Sequence, residues 1–397
     1  MKKMLLALAA TTMLAGPAVA ASHSPVKIGV ILGFTGPLES ITPAMGAGAE
    51  LAMKEVSDSG KLLGGAAVES VRGDSTCVDA AAATAAAERL ATSDGVKAIM
   101  GADCSGVTGA ILQSVARPNG IVMVSPSATS PGLSTAEDDG LFFRTAPSDA
   151  RQGEIVRDIL VGKGVKSIAI SYTNNDYGKG LADSIKANFE GAGGTVTISA
   201  AHEDGKGDYA AEVGALAQAG GEVLVVAGYL DQGGKGIIQG ALDTGAFDVF
   251  YLPDGMVGDA IAEAIGAGLD KSYGANPGTD SPGAAKFQEM AAAAGFNGTS
   301  AFSAESYDAA ALIMLAMQAA GSADSSALKE KIMDVANAPG EQIFPGELAK
   351  GLEILAGGGD IDYVGASAVE LIGPGESAGN YREVAFKDGK IVVVGYR

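Results

Sequence analysis

Small hydroxylated residues at the end of a predicted buried strand are the residues of this chain best suited to bind a ligand. The segment Ser125-Pro126-Ser127-Ala128-Thr129-Ser130-Pro131 directly follows the apolar run at residues 121–124. Ligands of α/β proteins sit outside the carboxyl ends of strands. Small side chains also let a ligand approach the backbone, and two prolines restrict this segment. The segment therefore predicts binding of a small polar molecule rather than its chemical conversion.

Catalytic motifs are largely missing from the sequence. The chain has two histidines, His23 and His202, so a histidine-based triad or metal site is disfavoured. A glycine-rich stretch resembles a phosphate loop, but Gly236 follows Lys235 where that loop needs Ser or Thr. We therefore predict no enzyme activity, no cofactor and no metal.

Composition limits the class of protein and its partners. Residues 1–20 have a basic start, an apolar stretch and a small-residue end, which predicts a secretory signal peptide cleaved after Ala20, with Ala21 as the neighbouring alternative. The other 377 residues (397 minus 20) are too many for one ordinary core and predict two domains. A formal charge of −20 argues against nucleic acid and anionic membranes as partners.

The two cysteines, Cys77 and Cys104, are predicted to form a structural disulfide because an exported pair usually bonds. The alternative, a metal or redox site, is poorly supported, because the sequence has no CxxC motif and only two histidines. In the chain-entropy model, closing a loop of about 28 residues stabilises the fold by roughly 3–4 kcal/mol. The disulfide would join the loops after the predicted strands at residues 68–72 and 96–101.

The predicted elements that position these residues alternate between strands and helices. A first series of short β-branched runs and amphipathic stretches ends near residue 145, and a second series runs from residue 151 to residue 252. A Gly/Pro-rich break follows at residues 266–283, then helices at 284–294, 303–320 and 326–335. The tail predicts a β-hairpin that turns at Asp388-Gly389. The pattern predicts an α/β protein with two similar, doubly wound parallel-sheet lobes.

Several motifs in this order resemble the leucine/isoleucine/valine-binding family, the type I periplasmic solute-binding proteins of ABC importers. The resemblance spans nearly all of residues 25–397. It rests on the segments at residues 33–37 (GFTGP), 72–77 (RGDSTC), 104–108 (CSGVT), 125–131, 175–178 (NDYG) and 362–367 (DYVGAS). The family implies a three-segment hinge, with lobe one at residues 25–146 plus 276–376 and lobe two at residues 147–275 plus 377–397.

The resemblance also implies a ligand site between the lobes. Lobe one would bind the carboxylate of an amino acid and supply part of the contacts to its ammonium group, through Ser105, Ser127, Ala128 and Thr129. Asp254 of lobe two would pair with the ammonium, and Tyr177 and Tyr229 would close over the ligand. Taken singly, each residue also has an ordinary structural interpretation: Ser105 as a helix cap, Asp254 as a turn residue, and the tyrosines as packing residues.

Three residues are assigned to the pocket for the ligand side chain: Ile41, Asp103 and Phe302. Ile41 stands where the family often has an aromatic residue, and Asp103 stands at a place that is apolar in branched-chain binders. Asp103 favours a small, polar or basic ligand side chain, unless its carboxylate is turned into a backbone cap. Asp254 is also shorter than the glutamate often found at its position.

The function that the resemblance implies is a periplasmic, monomeric binding protein that delivers an amino acid to an inner-membrane ABC permease. Two alternatives stay open. The same scaffold could bind another solute, such as an amide, urea, or an aromatic or dicarboxylic acid. It could also act as a ligand sensor that docks on a membrane receptor.

Overall fold

Apolar segments rich in Val and Ile form two seven-stranded sheets and a separate two-stranded one. The structure, a computed structural model, describes residues 24–397, so the predicted signal peptide and His23 lie outside the described residues. In chain order the strands are β1 (Val26–Leu32), β2 (Val68–Asp74), β3 (Ala98–Gly101), β4 (Met123–Ser125), β5 (Phe142–Pro147), β6 (Ser167–Thr173), β7 (Thr195–His202), β8 (Val223–Ala227), β9 (Phe250–Leu252), β10 (Tyr273–Pro277), β11 (Glu341–Ile343), β12 (Ile361–Tyr363), β13 (Leu371–Ile372), β14 (Glu376–Ser377), β15 (Tyr381–Lys387) and β16 (Lys390–Tyr396).

The two large sheets have the same winding. The first has the order β13-β14-β5-β4-β3-β1-β2, and the second has the order β16-β15-β10-β9-β8-β6-β7. In each sheet the five strands that come first in the chain pair in parallel. The strands alternate with helices, as a parallel sheet requires. The predicted fold, two similar doubly wound parallel sheets, is confirmed.

The chain crosses between these sheets three times, after Pro147, after Pro277 and after Ser377. We call the part built on the first sheet lobe one and the part built on the second sheet lobe two. The residue boundaries given above for the lobes stay a prediction. The predicted break at residues 266–283 does contain a strand, β10, because Tyr273–Pro277 pairs with β9 and β15.

Helices cover both faces of the sheets. In chain order they are α1 (Thr42–Ser59), α2 (Ala80–Glu88), α3 (Ser105–Ile111), α4 (Arg117–Asn119), α5 (Asp149–Gly162), α6 (Asp176–Gly191), α7 (Ala210–Ala219), α8 (Gly233–Thr244), α9 (Asp259–Ile265), α10 (Pro282–Ala294), α11 (Ser303–Ala320), α12 (Ser325–Leu328), α13 (Ile332–Ala336) and α14 (Leu348–Ala356).

Helix α11 is the central helix of lobe one. Its Ala-, Leu- and Met-rich sequence is buried on nearly every side, as expected for a helix without a polar face. It packs on α1, where a Cβ atom placed on Gly48 would lie 2.3 Å from the Ser303 carbonyl oxygen. The glycine therefore permits the close approach of the two helices.

Most predicted elements are present, with one interruption. The helix predicted at 303–320 has the observed bounds of α11, and the predicted hairpin is β15–β16 with a turn at Asp388 and Gly389. The helix predicted at 326–335 is divided into α12 and α13 by a 3₁₀ turn, Lys329–Lys331. Within residues 24–397, no helix combines the length and the apolar character needed to cross a bilayer.

Candidate functional site

A small cavity lies between the lobes, next to residues that follow the carboxyl ends of strands in both sheets. The space in it that is open to the centre of a water-sized molecule is small, about 10 Å³. Lobe one lines it with Leu38, Asp103, Cys104, Ser105, Ser127 and Phe302, and lobe two lines it with Tyr177, Tyr229, Asp254 and Gly255. The structure thus brings together seven predicted residues: Asp103, Ser105, Ser127, Tyr177, Tyr229, Asp254 and Phe302.

A larger groove lies elsewhere, between α7 and α8. It is open to solvent, is lined by residues of lobe two alone, and contains none of the predicted site residues. Its side chains include Lys206 and Lys235. The interlobe cavity is the better candidate site of the two, because it is less open to solvent than the groove and draws polar groups from both lobes.

Lobe two contributes an acidic residue to the cavity wall, Asp254, which follows β9. Asp254 is buried, and its Oδ1 accepts hydrogen bonds from the Tyr177 hydroxyl (2.7 Å) and the Gly255 N–H (2.8 Å). Burial raises the pKa of Asp254, whereas the hydrogen bonds from Tyr177, Gln152 and the backbone lower it. The site therefore offers a carboxylate already held by two donors, suited to accept a cation.

Two aromatic rings form the wall beside this carboxylate. The rings of Tyr177 and Tyr229 stack with their centroids 5.2 Å apart and their planes 14° from parallel. Burial raises the pKa of both hydroxyls well above the usual range, so both stay neutral. The Tyr229 hydroxyl has a long contact, 3.5 Å, with the Asn175 amide.

Lobe one contributes two serines to the cavity wall, Ser105 and Ser127. Ser105 is the first residue of α3, and its hydroxyl accepts a hydrogen bond from the Ser130 N–H at 3.0 Å. The Ser127 hydroxyl donates to the Asp103 carbonyl at 3.0 Å. The first N–H groups of a helix lack partners within it. Ser105 therefore lies where unpaired donors favour an anion.

Ala128 and Thr129 do not line the cavity. The Ala128 carbonyl accepts from Arg144 Nη1 at 2.9 Å, and the Thr129 carbonyl accepts from the Asp149 N–H at 2.9 Å. Arg144 is itself buried and pairs with Glu376 at 2.5 Å. The loop after β4 is therefore held by the protein's own groups, and Ser127 is its contact with the cavity.

Asp103 lines the cavity but points its carboxylate at the protein. Its Oδ2 accepts from the Gly33 N–H at 2.9 Å and its Oδ1 accepts from the Ser75 hydroxyl at 2.8 Å. Burial raises the pKa of this carboxyl, and the two hydrogen bonds oppose the shift. Of the two alternatives left open by the sequence, the backbone cap is the arrangement observed. Cys77 and Cys104 form the predicted disulfide beside it.

Ile41 is buried outside the cavity wall, and Leu38 lies in the wall instead. Leu38 belongs to the loop that continues the GFTGP segment, one helical turn before Ile41. A Cβ atom on Gly258 of lobe two would lie 3.4 Å from Ile41 Cγ2, so Ile41 contacts the opposite lobe. Leu38 could have been predicted from the sequence, because it is apolar and lies three residues before Ile41, on the same face of a helical turn.

Two polar residues behind Asp254 were missed by the sequence analysis. Asp149 and Gln152 stand three residues apart at the start of α5, just after the first crossing between lobes. Both are fully buried. The sequence could have indicated these two residues, because their spacing puts two polar side chains on one face of a helix beside a predicted lobe crossing.

A family model and the sequences of known proteins agree on the family of this chain. Residues 25–347 match the periplasmic binding protein family. The chain is 32% identical to the Leu/Ile/Val-binding protein homolog 1 of Brucella suis, over 81% of this chain and 88% of that protein.

Solved structures share the fold at lower identity. The substrate-binding protein LivJ of Streptococcus pneumoniae, solved with isoleucine, superposes with a TM-score of 0.76 at 22% identity, over 94% of this chain and 99% of that chain. An R. palustris solute-binding protein solved with benzoate has a TM-score of 0.76 at 20% identity, over 94% of this chain and 96% of that chain. One fold thus accompanies different ligands.

Proposed function

The chain belongs to the periplasmic binding protein family, and we propose that it binds an amino acid between its lobes and delivers it to an ABC permease in the inner membrane. The observation that carries this proposal is the division of polar groups between the two lobes at the cavity. Asp254 and Tyr177 line it from lobe two, and Ser105 at the start of α3 lines it from lobe one. A zwitterion needs an acceptor and a donor set at separate places.

The lobes would supply the two halves of this recognition. Ser105 and Ser127 come from lobe one, while Asp254, Tyr177 and Tyr229 come from lobe two, so the complete set of contacts exists only when the lobes meet. Ligand binding would then favour closure about the three crossings. The lobe boundaries predicted from the sequence define the two bodies in this proposal.

A second ligand class is an aromatic acid. It is favoured by the stacked Tyr177 and Tyr229 rings and by the benzoate bound to the R. palustris protein. A carboxylate without an ammonium would leave Asp254 unpaired in a buried cavity, which is costly. We therefore place the amino acid first.

The cellular setting follows the same proposal. The signal peptide at residues 1–20 would direct the chain to the periplasm, where it would act as a monomer. A receptor in place of the permease is the alternative partner, since either would contact the surface made by the closed lobes.

Calorimetric titration with matched ligands tests the proposal. Leucine and smaller amino acids would be compared with 4-methylpentanoate, which lacks the ammonium, and with benzoate. Binding of amino acids alone supports the proposal. Equal binding of 4-methylpentanoate, or binding of benzoate only, favours the second class.

Asp254→Ala tests the residue at the centre of the proposal. Loss of the carboxylate should weaken amino-acid binding by roughly 2–5 kcal/mol. Asp243→Ala, an exposed aspartate on α8, is the control. Unchanged affinity in the Asp254 variant would refute the assignment.

A further inference from the structure

Asp149 and Asp254 are two fully buried carboxyl groups linked by one amide side chain. Asp149 is 0% exposed and Asp254 is 1% exposed. Gln152 Nε2 donates to Asp149 Oδ1 at 3.2 Å, and Gln152 Oε1 accepts from the Asp254 N–H at 3.4 Å. Gln152 thus couples the position of the acidic residue in the cavity to a second acid behind it.

The groups that face this pair supply little positive charge. They are one arginine and four tyrosines, namely Arg144, Tyr177, Tyr229, Tyr251 and Tyr381. Burial raises the pKa of each tyrosine well above its usual range, so the tyrosines are neutral.

Arg144 is engaged by other partners. It pairs with Glu376 and donates to the Ala128 and Ser130 carbonyls. Within the part of the chain that the structure describes, neither Asp149 nor Asp254 has a salt bridge. Two unpaired carboxylates in one buried cluster are strongly unfavourable, because both desolvation and mutual repulsion oppose the second charge.

The surroundings distinguish the two carboxyls. Asp254 accepts hydrogen bonds from Tyr177 and Gly255, which favour its anion. Asp149 Oδ2 makes no hydrogen bond of regular geometry to any residue from 24 to 397, and the same is true of the neighbouring Thr129 hydroxyl. Among the described residues, the Asp149 carboxyl accepts one hydrogen bond of regular geometry, from Gln152 Nε2 at 3.2 Å, whereas the Asp254 carboxyl accepts two, so the anion of Asp149 is the less stabilised.

We propose that Asp149 is a neutral carboxylic acid at neutral pH, so that Asp254 carries the single negative charge of the ligand site. Asp149 is then a positioning residue: it holds Gln152, and Gln152 holds the Asp254 backbone. The direction of the pKa shift of Asp149 agrees with this assignment. Burial and then the charge of Asp254 raise the pKa of Asp149 well above its usual range, and the Thr129 hydroxyl and Arg144 oppose the shift.

One charge at this site matches one ammonium group of the ligand. This match between charge and ligand rests on the proposed function. The protonation of Asp149 is independent of that function, because the groups that favour the proton belong to the protein. The two parts are therefore tested separately.

The first experiment needs no ligand. The unfolding free energy of the wild type and of Asp149→Asn would be measured by urea denaturation between about pH 4 and about pH 8. An ordinary aspartate pKa is 3.8, so a raised pKa makes the folded state hold a proton that the unfolded chain has lost. The stability contributed by this proton is complete below pH 3.8 and is lost as the pH rises.

The wild type should therefore lose stability with rising pH more steeply than Asp149→Asn, by a slope equivalent to about one proton. Asp158→Asn, on the exposed side of the same helix, should keep the wild-type slope. Equal slopes for wild type and Asp149→Asn would overturn the proposal. If Asp149→Asn fails to fold, infrared spectroscopy of Glu305→Gln decides: burial raises the pKa of Glu305 to about 7, so this variant removes a competing band, and the absence of any protonated-carboxyl band at neutral pH would overturn the proposal.

The second experiment uses calorimetry with an amino acid at neutral pH. Asp254→Asn should lose at least about a hundredfold in affinity, as expected when a charged partner is removed. Asp149→Asn should lose less than about tenfold, because the amide resembles the neutral acid. An equal loss in both variants would mean that Asp149 is charged and would overturn the inference. If the wild type binds no amino acid, the proposed function fails, while the denaturation result still decides the protonation of Asp149.

Discussion

Tyr177 and Tyr229 stack on each other, but their hydroxyl groups make different contacts. The Tyr177 hydroxyl donates to Asp254 at 2.7 Å, whereas within residues 24–397 the Tyr229 hydroxyl has only the 3.5 Å contact with Asn175. The first bond reaches a buried charge and the second joins neutral groups. Hydrogen bonds to charged groups contribute more, so the two tyrosines should respond differently to loss of the oxygen.

Removing one hydroxyl at a time tests this difference. Tyr177→Phe should weaken amino-acid binding by about 1.5–3 kcal/mol, because Asp254 loses a donor that fixes and stabilises its anion. Tyr229→Phe preserves the stacked ring and should change affinity by about 0.5 kcal/mol or less. Calorimetry of the two variants measures both effects. Equal losses would contradict the role given to the Tyr177 hydroxyl.

Sequence reasoning found the residues that motifs mark and missed those that only packing reveals. Asp254 and Tyr177 stand in short recognisable segments, and the structure places both at the cavity. Asp149 and Gln152 stand in an ordinary helix start, and their importance arises from complete burial behind Asp254. The orientation of Asp103 also depended on contacts with two loops distant in sequence.

At the scale of elements, three strand-end loops of lobe one are joined at the cavity rim. Asp103 follows β3 and accepts hydrogen bonds from the loop after β1 and from Ser75 after β2. The Cys77–Cys104 disulfide joins two of the same loops. The rim of lobe one is thus fixed by covalent and polar links.

The contact between α1 and α11 yields a prediction for the element that carries Phe302. Gly48→Ala would place a Cβ atom 2.3 Å from the Ser303 carbonyl oxygen, at the start of α11. We expect it to lower the unfolding free energy by about 1–3 kcal/mol and to weaken ligand binding, because Phe302 precedes the displaced residue. Urea denaturation and calorimetry measure the two effects.

Gly214→Ala is the control for this substitution. Gly214 lies in α7, and apart from the adjacent backbone of this helix no atom of residues 24–397 lies within 4 Å of a Cβ placed there. Alanine is the better helix former, so this variant should gain up to about 1 kcal/mol. A Gly48 variant that behaves like the Gly214 variant would show that the helices can separate without cost.

Strands could not be predicted from the sequence where pairing with neighbouring strands, rather than the residues themselves, decides the structure. The runs of β1 and β8 are apolar enough to predict strands directly. Strand β10 was hidden in a Gly/Pro-rich stretch, and it forms because β9 and β15 pair with it on either side. Such a strand is specified by its neighbours more than by its own residues.

At the scale of the molecule, the lobes also touch outside the cavity wall. The Ser40 N–H of lobe one donates to Asp231 Oδ2 of lobe two at 2.9 Å. On another side, a Cβ atom on Gly180 of α6 would lie 2.8 Å from Pro131 Cδ. These contacts belong to a closed arrangement, which encloses the cavity.

Gly180→Leu should therefore hinder closure without altering any ligand contact. We expect affinity to fall by about tenfold or more, since closure must now displace a side chain at the lobe interface. Gly191→Leu, in the same helix, meets no atom within 4 Å and should leave affinity unchanged. Calorimetry compares the two, and thermal denaturation without ligand confirms that both fold. Equal affinities would show that closure does not require this contact.

The order in which the strands enter the sheets has a consequence for synthesis. Each large sheet receives its last strands from residues 371–396, as β13 and β14 in one and β15 and β16 in the other. A chain made from its amino terminus therefore has neither sheet complete while it is being translated. Pairings between residues far apart in sequence also form slowly. In the export that we propose, delayed completion of both lobes would keep the nascent chain unfolded while it passes through a secretion channel.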